Sequence, residues 1–294
     1  MRYEISHITR YEDGDRVSIG YNQAWLRPRE DTRQRLIAHS LRISPEPAAT
    51  SERVDFFGNR VTQFQLHEGY DRLQVEATST VEILGTSEAS PSNEQQPVWE
   101  DCLAAVSGPA SPIDQFRYAS PRVPQHKALA QFAKVHFEPG RAIDESLAGL
   151  CAQIHSDFEY DPSATHVNTP LAEAWELRRG VCQDLAHLMI GAARSVGLAA
   201  RYVSGYLRTL PPPGKPRLIG ADASHAWASI HRGPLGWIDY DPTNNCVVGS
   251  DHIVLAVGRD YADVPPLRGV FIGGGSPELS VSVDVDPVET PTQE

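Results

Sequence analysis

Cysteine is scarce: four residues in 294, at Cys102, Cys151, Cys182 and Cys246. They stand far apart and form no C-x-x-C pair, which excludes a dense disulfide framework and argues against a zinc site built on paired thiolates. Long apolar runs are missing as well. No stretch reaches the roughly 18 residues of a membrane-spanning helix, and "MRYEISHITRYEDGDR" lacks the apolar core of a signal peptide. Positive charge is short, with 26 Lys and Arg against 38 Asp and Glu for a formal net charge of −12. No basic stripe is long enough to follow a phosphate backbone, so nucleic acid is not an expected partner. The acidic excess disfavours an anionic membrane surface. A reducing, cytoplasmic setting with no cofactor is the simplest expectation.

What is present is enough apolar sequence, 40% of residues, for a sizeable core. Residues 1–85 read as a β-rich N-terminal domain. "RLIAHSLRIS" and "DRLQVEATSTVEIL" alternate apolar with polar positions, the period of half-exposed antiparallel strands, and "EDGD", "SPEP" and "FFGNR" supply turns. Residues 86–96, "TSEASPSNEQQ", hold nothing apolar larger than alanine and read as a linker. Residues 97–284 form a second domain. Ile143, Leu147, Leu150, Cys151, Ile154 and Phe158 make one helical stripe, which predicts a helix over 142–158 with Cys151 in its packed face. A shorter helix is expected over about 170–178, opening at Pro170. After Gly197 the pattern becomes strand-like in "LAARYVSGYL", "SHAWASIHR" and "GWIDYDPT", with the Pro/Gly loop "TLPPPGKPRLIGAD" between the first two. Helices followed by consecutive strands predict an α+β arrangement. Residues 285–294 are expected to fray.

The stretch "RRGVCQDLAHLMIGAARSVG" carries the chemistry. Leu185, Leu188, Met189, Ala192 and Val196 trace one helix face that stops at Gly197, so Cys182 stands in or just before the first turn. Free backbone N–H groups and the positive end of the dipole favour an anion there, and a thiolate is an anion. A thiolate nucleophile needs a histidine partner and an orienting group for that histidine. His225 in "DASHAWASI" and Asp241 in "WIDYDPTNN" would meet across a hairpin turning at "HRGPLG". Asp239, two residues earlier on the same face, is the rival orienter. His187, five residues after Cys182 on the helix, reads as a packing residue, and His231 is expected to face solvent near the turn. Tyr160, Trp175 and Gln183 are candidates to line the cleft, with packing the plainer role for the two aromatics. "GRDYAD" (258–263) is polar and tyrosine-bearing enough to sit near a site, and reads equally as a structural loop anchored by Arg259 and Asp260. Cys182, His225 and Asp241 are also legitimate metal ligands, but they lack the close ligand pairs usual in zinc enzymes.

In order and spacing, "RRGVCQDLAHLMIGAARSVGLAARYVSGYL", "SHAWASI" and "GWIDYDPTNN" resemble the transglutaminase-like cysteine enzymes. "ISHITRYEDGDRVSIGYNQAWLRPR", "DFFGNRVTQF" and "DHIVLAVGRDYADVPPLRGV" resemble the bacterial subgroup, including its β-rich N-terminal domain. The resemblance implies an N-terminal antiparallel β domain followed by a papain-like core, with the cysteine-bearing helix packed on an antiparallel sheet. It implies Cys182 as nucleophile, His225 as base and Asp241, in Asp-Pro-Thr, as orienter. It further implies thiol-dependent acyl transfer, with hydrolysis of a peptide or isopeptide amide as the first expectation. Transamidation of glutamine or a small amine by the same triad is the alternative. A binding protein with a vestigial triad is the reading from another class. No acidic D-x-D-x-D-G loop is present, so calcium activation is not implied. Substrate identity and oligomeric state are not indicated.

Overall fold

A computed structural model describes residues 1–85, 96–104, 111–209, 223–275 and 277–288. The expected linker apart from Gln96, most of the proline loop between the first two strands after Gly197, and residues 289–294 lie outside the described residues. The N-terminal sheet is built around one long strand, β1 (Arg2–Ala24). Tyr3, Ile5, His7 and Thr9 are buried on one face, the period-2 pattern of a half-exposed strand. The other strands of this part are β2 (Gln34–Ser44), β3 (Ala49–Val54), β4 (Arg60–Leu66) and β5 (Tyr70–Ile83). They follow the order β2-β5-β1-β4-β3. Pairing of β1 with β5 shifts register between Glu12 and Val17, so the two halves of β1 take different neighbours.

The helical part follows with α1 (Trp99–Ala104), α2 (Lys127–Lys134), α3 (Ile143–Asp157), β6 (Glu159–Tyr160), α4 (Leu171–Leu177), β7 (Arg179–Gly180) and α5 (Cys182–Ser195). The stripe expected over 142–158 is observed: Ile143, Leu147, Leu150, Cys151 and Ile154 are all buried. α5 is buried nearly all round, which suits a central helix rather than a surface one. At Gly191 a Cβ would come within 2.9 Å of Leu129, so glycine lets α2 lie close against α5. α5 ends in a Schellman motif: Gly197, at φ +91°, donates to the Arg194 carbonyl and Leu198 donates to that of Ala193. Beside α5 stand β8 (Ala200–Leu207), β9 (Ala223–His231), β10 (Trp237–Asp241), β11 (Cys246–Val247) and β12 (His252–Gly258). They form one antiparallel sheet in the order β11-β10-β9-β8-β12. The α+β class and the cysteine helix on an antiparallel sheet are thus as expected.

The chain end departs from expectation. β13 (Leu267–Gly273) and β14 (Glu278–Val288) leave the C-terminal half and pair with β1 in the N-terminal sheet. The expected boundary at 284 therefore does not separate a domain from a frayed tail. Val285 is fully buried opposite Ile5, and Val288 pairs with Arg2. The alternating valines of "VSVDVDPV" have a buried face to fill, which ordered strand pairing supplies. Tyr3, Ile5, Val81, Ile83, Val283 and Val285 belong to the same apolar cluster as Leu188, Met189 and Ile230, so both halves share one core.

Candidate active site

The entry to α5 is shaped by local bonding. Val181 is extended, and its N–H donates to Asp184 Oδ2 at 2.9 Å, the reciprocal bond by which an N3 carboxylate steadies a helix start. The Thr165 hydroxyl donates to the same oxygen at 2.6 Å. Gly180 makes room for this, since a Cβ there would stand 2.5 Å from Asp184 Oδ2. Cys182 is thereby held at the first helical position, half-buried. The other three thiols are not so placed. Burial pushes Cys102 up to about 11, Cys151 up to about 12 and Cys246 up to about 11.

The β9–β10 hairpin turns through Gly233–Leu235, where Gly233 and Gly236 take positive φ. Its register sets Asp239 against Ser229 and Tyr240 against Ala228. His225 Nε2 then donates to Asp241 Oδ2 at 2.7 Å, and Cys182 lies near enough to the same imidazole to favour its protonated form. Because Nε2 is taken, Nδ1 is the nitrogen left for the sulfur. Burial alone would lower the His225 pKa, but the bond to Asp241 and the nearby Cys182 outweigh it and push the group up to about 10. For Asp241 burial acts upward, yet bonds from His225, His252 and Asn244 hold the carboxyl far below the usual range. Its other oxygen, Oδ1, accepts the Thr243 and Asn244 backbone N–H groups at 2.9 and 3.2 Å.

The remaining candidates sort by contact. Asp239 is spent elsewhere: its Oδ2 accepts Arg33 Nη2 at 2.6 Å and Trp227 Nε1 at 3.1 Å. His187 packs against Tyr202, and its Nε2 accepts the Tyr261 N–H at 3.2 Å; burial pushes it down to about 4. His231 does not face solvent as expected; it is buried, edge-on to the Trp237 ring at 5.1 Å. Gln183 Nε2 donates to the Val167 carbonyl, tying the 161–170 loop to α5. Trp175 packs on Phe132 and Phe158. Tyr160 is exposed and near enough to Cys182 that, after burial, the cysteine's charge helps raise its pKa. A cleft of about 640 Å³ opens between Tyr160, Arg178, Leu185 and Thr243. Arg259 pairs with Asp263, and Asp260 accepts the Arg122 and Ala262 N–H groups, so the 258–263 segment is a braced loop.

Two residues at the cluster escaped the sequence. Asn244 Nδ2 donates to Asp241 Oδ2 at 2.6 Å, and His252 Nε2 donates to it at 3.1 Å. Asn244 was within reach of inference from "DPTNN". His252 had only the weak signal of a histidine opening an apolar strand. Among the described residues, the donor atoms of His225, Asp241 and His252 lie within 4.8 Å of one another, close enough to hold a cation. That differs from the Cys182–His225–Asp241 set considered from sequence.

The comparisons agree with this architecture. Residues 3–82 match the bacterial transglutaminase-like N-terminal region and residues 135–242 match the transglutaminase-like superfamily core. An uncharacterized protein of Mycobacterium tuberculosis is 40% identical over 98% of this chain and 93% of its own length. One of Mycobacterium leprae is 33% identical over 97% of this chain and 98% of its own. A crystal structure from Cytophaga hutchinsonii, described as a "Putative Cysteine Protease", superposes with a TM-score of 0.71 at 21% identity, covering 100% of this chain and 94% of the other. The fold is that of the transglutaminase-like cysteine enzymes. The chain belongs to the bacterial branch of the transglutaminase-like superfamily, the branch that carries the β-rich N-terminal region.

Proposed function

We propose that the protein is a thiol-dependent acyl-transfer enzyme in which Cys182 is the nucleophile, His225 the acid and base, and Asp241 the group that orients His225. The observation that carries this reading is Cys182 at the N-terminus of a buried helix, close to an imidazole, His225, whose Nε2 donates to Asp241 at 2.7 Å. The raised His225 pKa favours an imidazolium beside a thiolate. The thiolate attacks an amide carbonyl, and the carbonyl oxygen takes the negative charge. The Cys182 backbone N–H, at the first helical position, is a donor for that oxygen. As the tetrahedral adduct collapses, the C–N bond breaks and His225 gives its Nδ1 proton to the departing amine, leaving a thioester. Neutral His225 then takes a proton from water, the hydroxyl adds to the thioester, and a carboxylic acid leaves while the thiolate–imidazolium pair returns.

Hydrolysis of a peptide or isopeptide amide is the reaction we favour, supported by the description of the Cytophaga protein, which shares the fold. Four unpaired thiols support a reducing compartment. The test is the rate of iodoacetamide labelling at each cysteine from pH 4 to 9. Cys182 is expected to react fastest, most visibly at about pH 6 and below, where an unassisted thiol is slow. Cys182→Ala is expected to abolish turnover of any amide found to be cleaved, with the fold intact. If Cys182 labels no faster than Cys246, the nucleophile assignment is wrong. Product formation only with an added amine would replace hydrolysis by transamidation.

A further inference from the structure

Asp241 does not serve His225 alone. Its Oδ2 accepts three side-chain donors: Asn244 Nδ2 at 2.6 Å, His225 Nε2 at 2.7 Å and His252 Nε2 at 3.1 Å. His252 comes from β12, at the far edge of the catalytic sheet, not from the hairpin that carries His225 and Asp241. It is buried, its ring stands edge-on to Trp227 at 5.2 Å, and its Nδ1 has no hydrogen-bond partner among the described residues. Because an ionised carboxylate oxygen only accepts, the tautomer is specified: the proton is on Nε2 and points at Asp241. A buried ring that leaves one nitrogen unpaired bears a cost that a plain packing residue would avoid. That arrangement is understandable when the other nitrogen does something for its partner.

We propose that His252 is a positioning residue for the Cys182–His225–Asp241 chain, an inference that rests on the function proposed above. Its Nε2–H fixes the rotation of the Asp241 carboxylate about its side-chain bond, so that Oδ2 meets the His225 ring in line. Asn244 is exposed at the surface end of the cluster and is less constrained; His252 supplies the buried end. The strand that carries His252 is itself clamped by the N-terminal half. Gln34 pairs its side-chain amide with both backbone groups of Val254, at 2.8 Å each, and Asn59 does the same with Val257 at 2.8 and 2.9 Å. Tyr3 donates to Asp251, the residue before His252, at 2.9 Å. The β-rich N-terminal region is thus coupled to the alignment of the orienting aspartate.

The titratable groups around this cluster are Asp241 and His225, the buried Cys151 and half-buried Cys246 beside Asp241, and Asp251 with its partners Tyr3 and Arg208. The test uses the full chain and needs no substrate. Iodoacetamide labelling of Cys182 is followed from pH 5.5 to 9.5 in the wild type, His252→Phe, His252→Gln and Asp241→Asn. At pH 6, His252→Phe is expected to label about tenfold more slowly than wild type, the low end for loss of one bond to a charged group. His252→Gln, which keeps a donor, is expected to stay within about threefold of wild type. Near pH 9.5, where a free thiol ionises unaided, all variants are expected to converge. A merely structural role would lower both His252 variants together or at every pH alike, and either result overturns the proposal. If His252→Phe follows wild type while Asp241→Asn falls, His252 has no positioning role and the triad stands. If Asp241→Asn also follows wild type, the triad assignment itself has failed.

Discussion

Asp239 and Asp241 leave the same face of β10, both are buried, and both are held ionised by their neighbours. They nevertheless belong to two different regions. Asp239 lies at the junction with the N-terminal half, where Arg33 and the Trp227 indole take up its oxygen. Asp241 lies in the cluster of His225, His252 and Asn244, where it accepts from an imidazole close to Cys182. Arginine does not give up its proton and indole does not titrate, so the first aspartate can only hold. The second is bonded to a group that can hand a proton on. A buried carboxylate becomes part of a reaction through what its partner can do next, not through its own burial.

The comparison breaks most sharply by exchange of roles. Asp239→Ala strands the Arg33 guanidinium and the Trp227 N–H and is expected to cost on the order of 3 kcal/mol in urea unfolding. It is expected to leave Cys182 labelling at pH 6 within about twofold. Asp241→Asn is expected to slow that labelling by more than about tenfold. The opposite pattern would make Asp239 the orienter.

The two regions also separate by pH. The His225 pKa is raised to about 10, so its protonation contributes stability that is complete below the unfolded value of about 6.5 and is lost as pH rises through about 10. Asp239 and Asp241 are both depressed, so each contributes stability present above about pH 4 and lost as the solution is made more acid. Unfolding free energies at pH 5, 7, 9 and 10 are expected to decline toward alkali in the wild type. Asp241→Asn is expected to flatten that decline and Asp239→Ala to retain it. The smallest effect is expected at the clamp on β12. Gln34→Ala leaves the Val254 N–H without its partner while the Val254 carbonyl keeps the Arg29 N–H at 3.1 Å, a loss of about 1–3 kcal/mol in the same measurement.

How far the molecule could be read in advance follows the range of its interactions. The helix at 143–157, the cysteine at the mouth of α5 and the β9–β10 hairpin depend on periodicity, glycine and turn residues within a few positions of one another, and all were legible. Asp241 could be set against Asp239 only through the family resemblance, because both sit on one face of one strand. His252 was not legible, because the sheet order places β12 beside β8 and not beside β10, and no local pattern encodes that neighbour. For the same reason "VSVDVDPV" could be read as a strand without revealing its partner. The alternation names a buried face; only the assembled sheet names what covers it.

The pairing of β14 with β1 has a consequence for the order in which the chain can fold. β1 leaves the ribosome more than 250 residues before the strand that covers one of its sides, since Arg2 lies opposite Val288 and Glu12 opposite Glu278. Its other neighbour, β5, is available early. Until β14 arrives, one flank of β1 presents unpaired N–H and C=O groups along eleven residues, the kind of open edge that recruits foreign strands. Contacts between segments so far apart in sequence are slow to close. The sheet built on β1 therefore starts with β5 and stays open on one side until β14 is made, and chaperone dependence during synthesis should concentrate on that waiting edge.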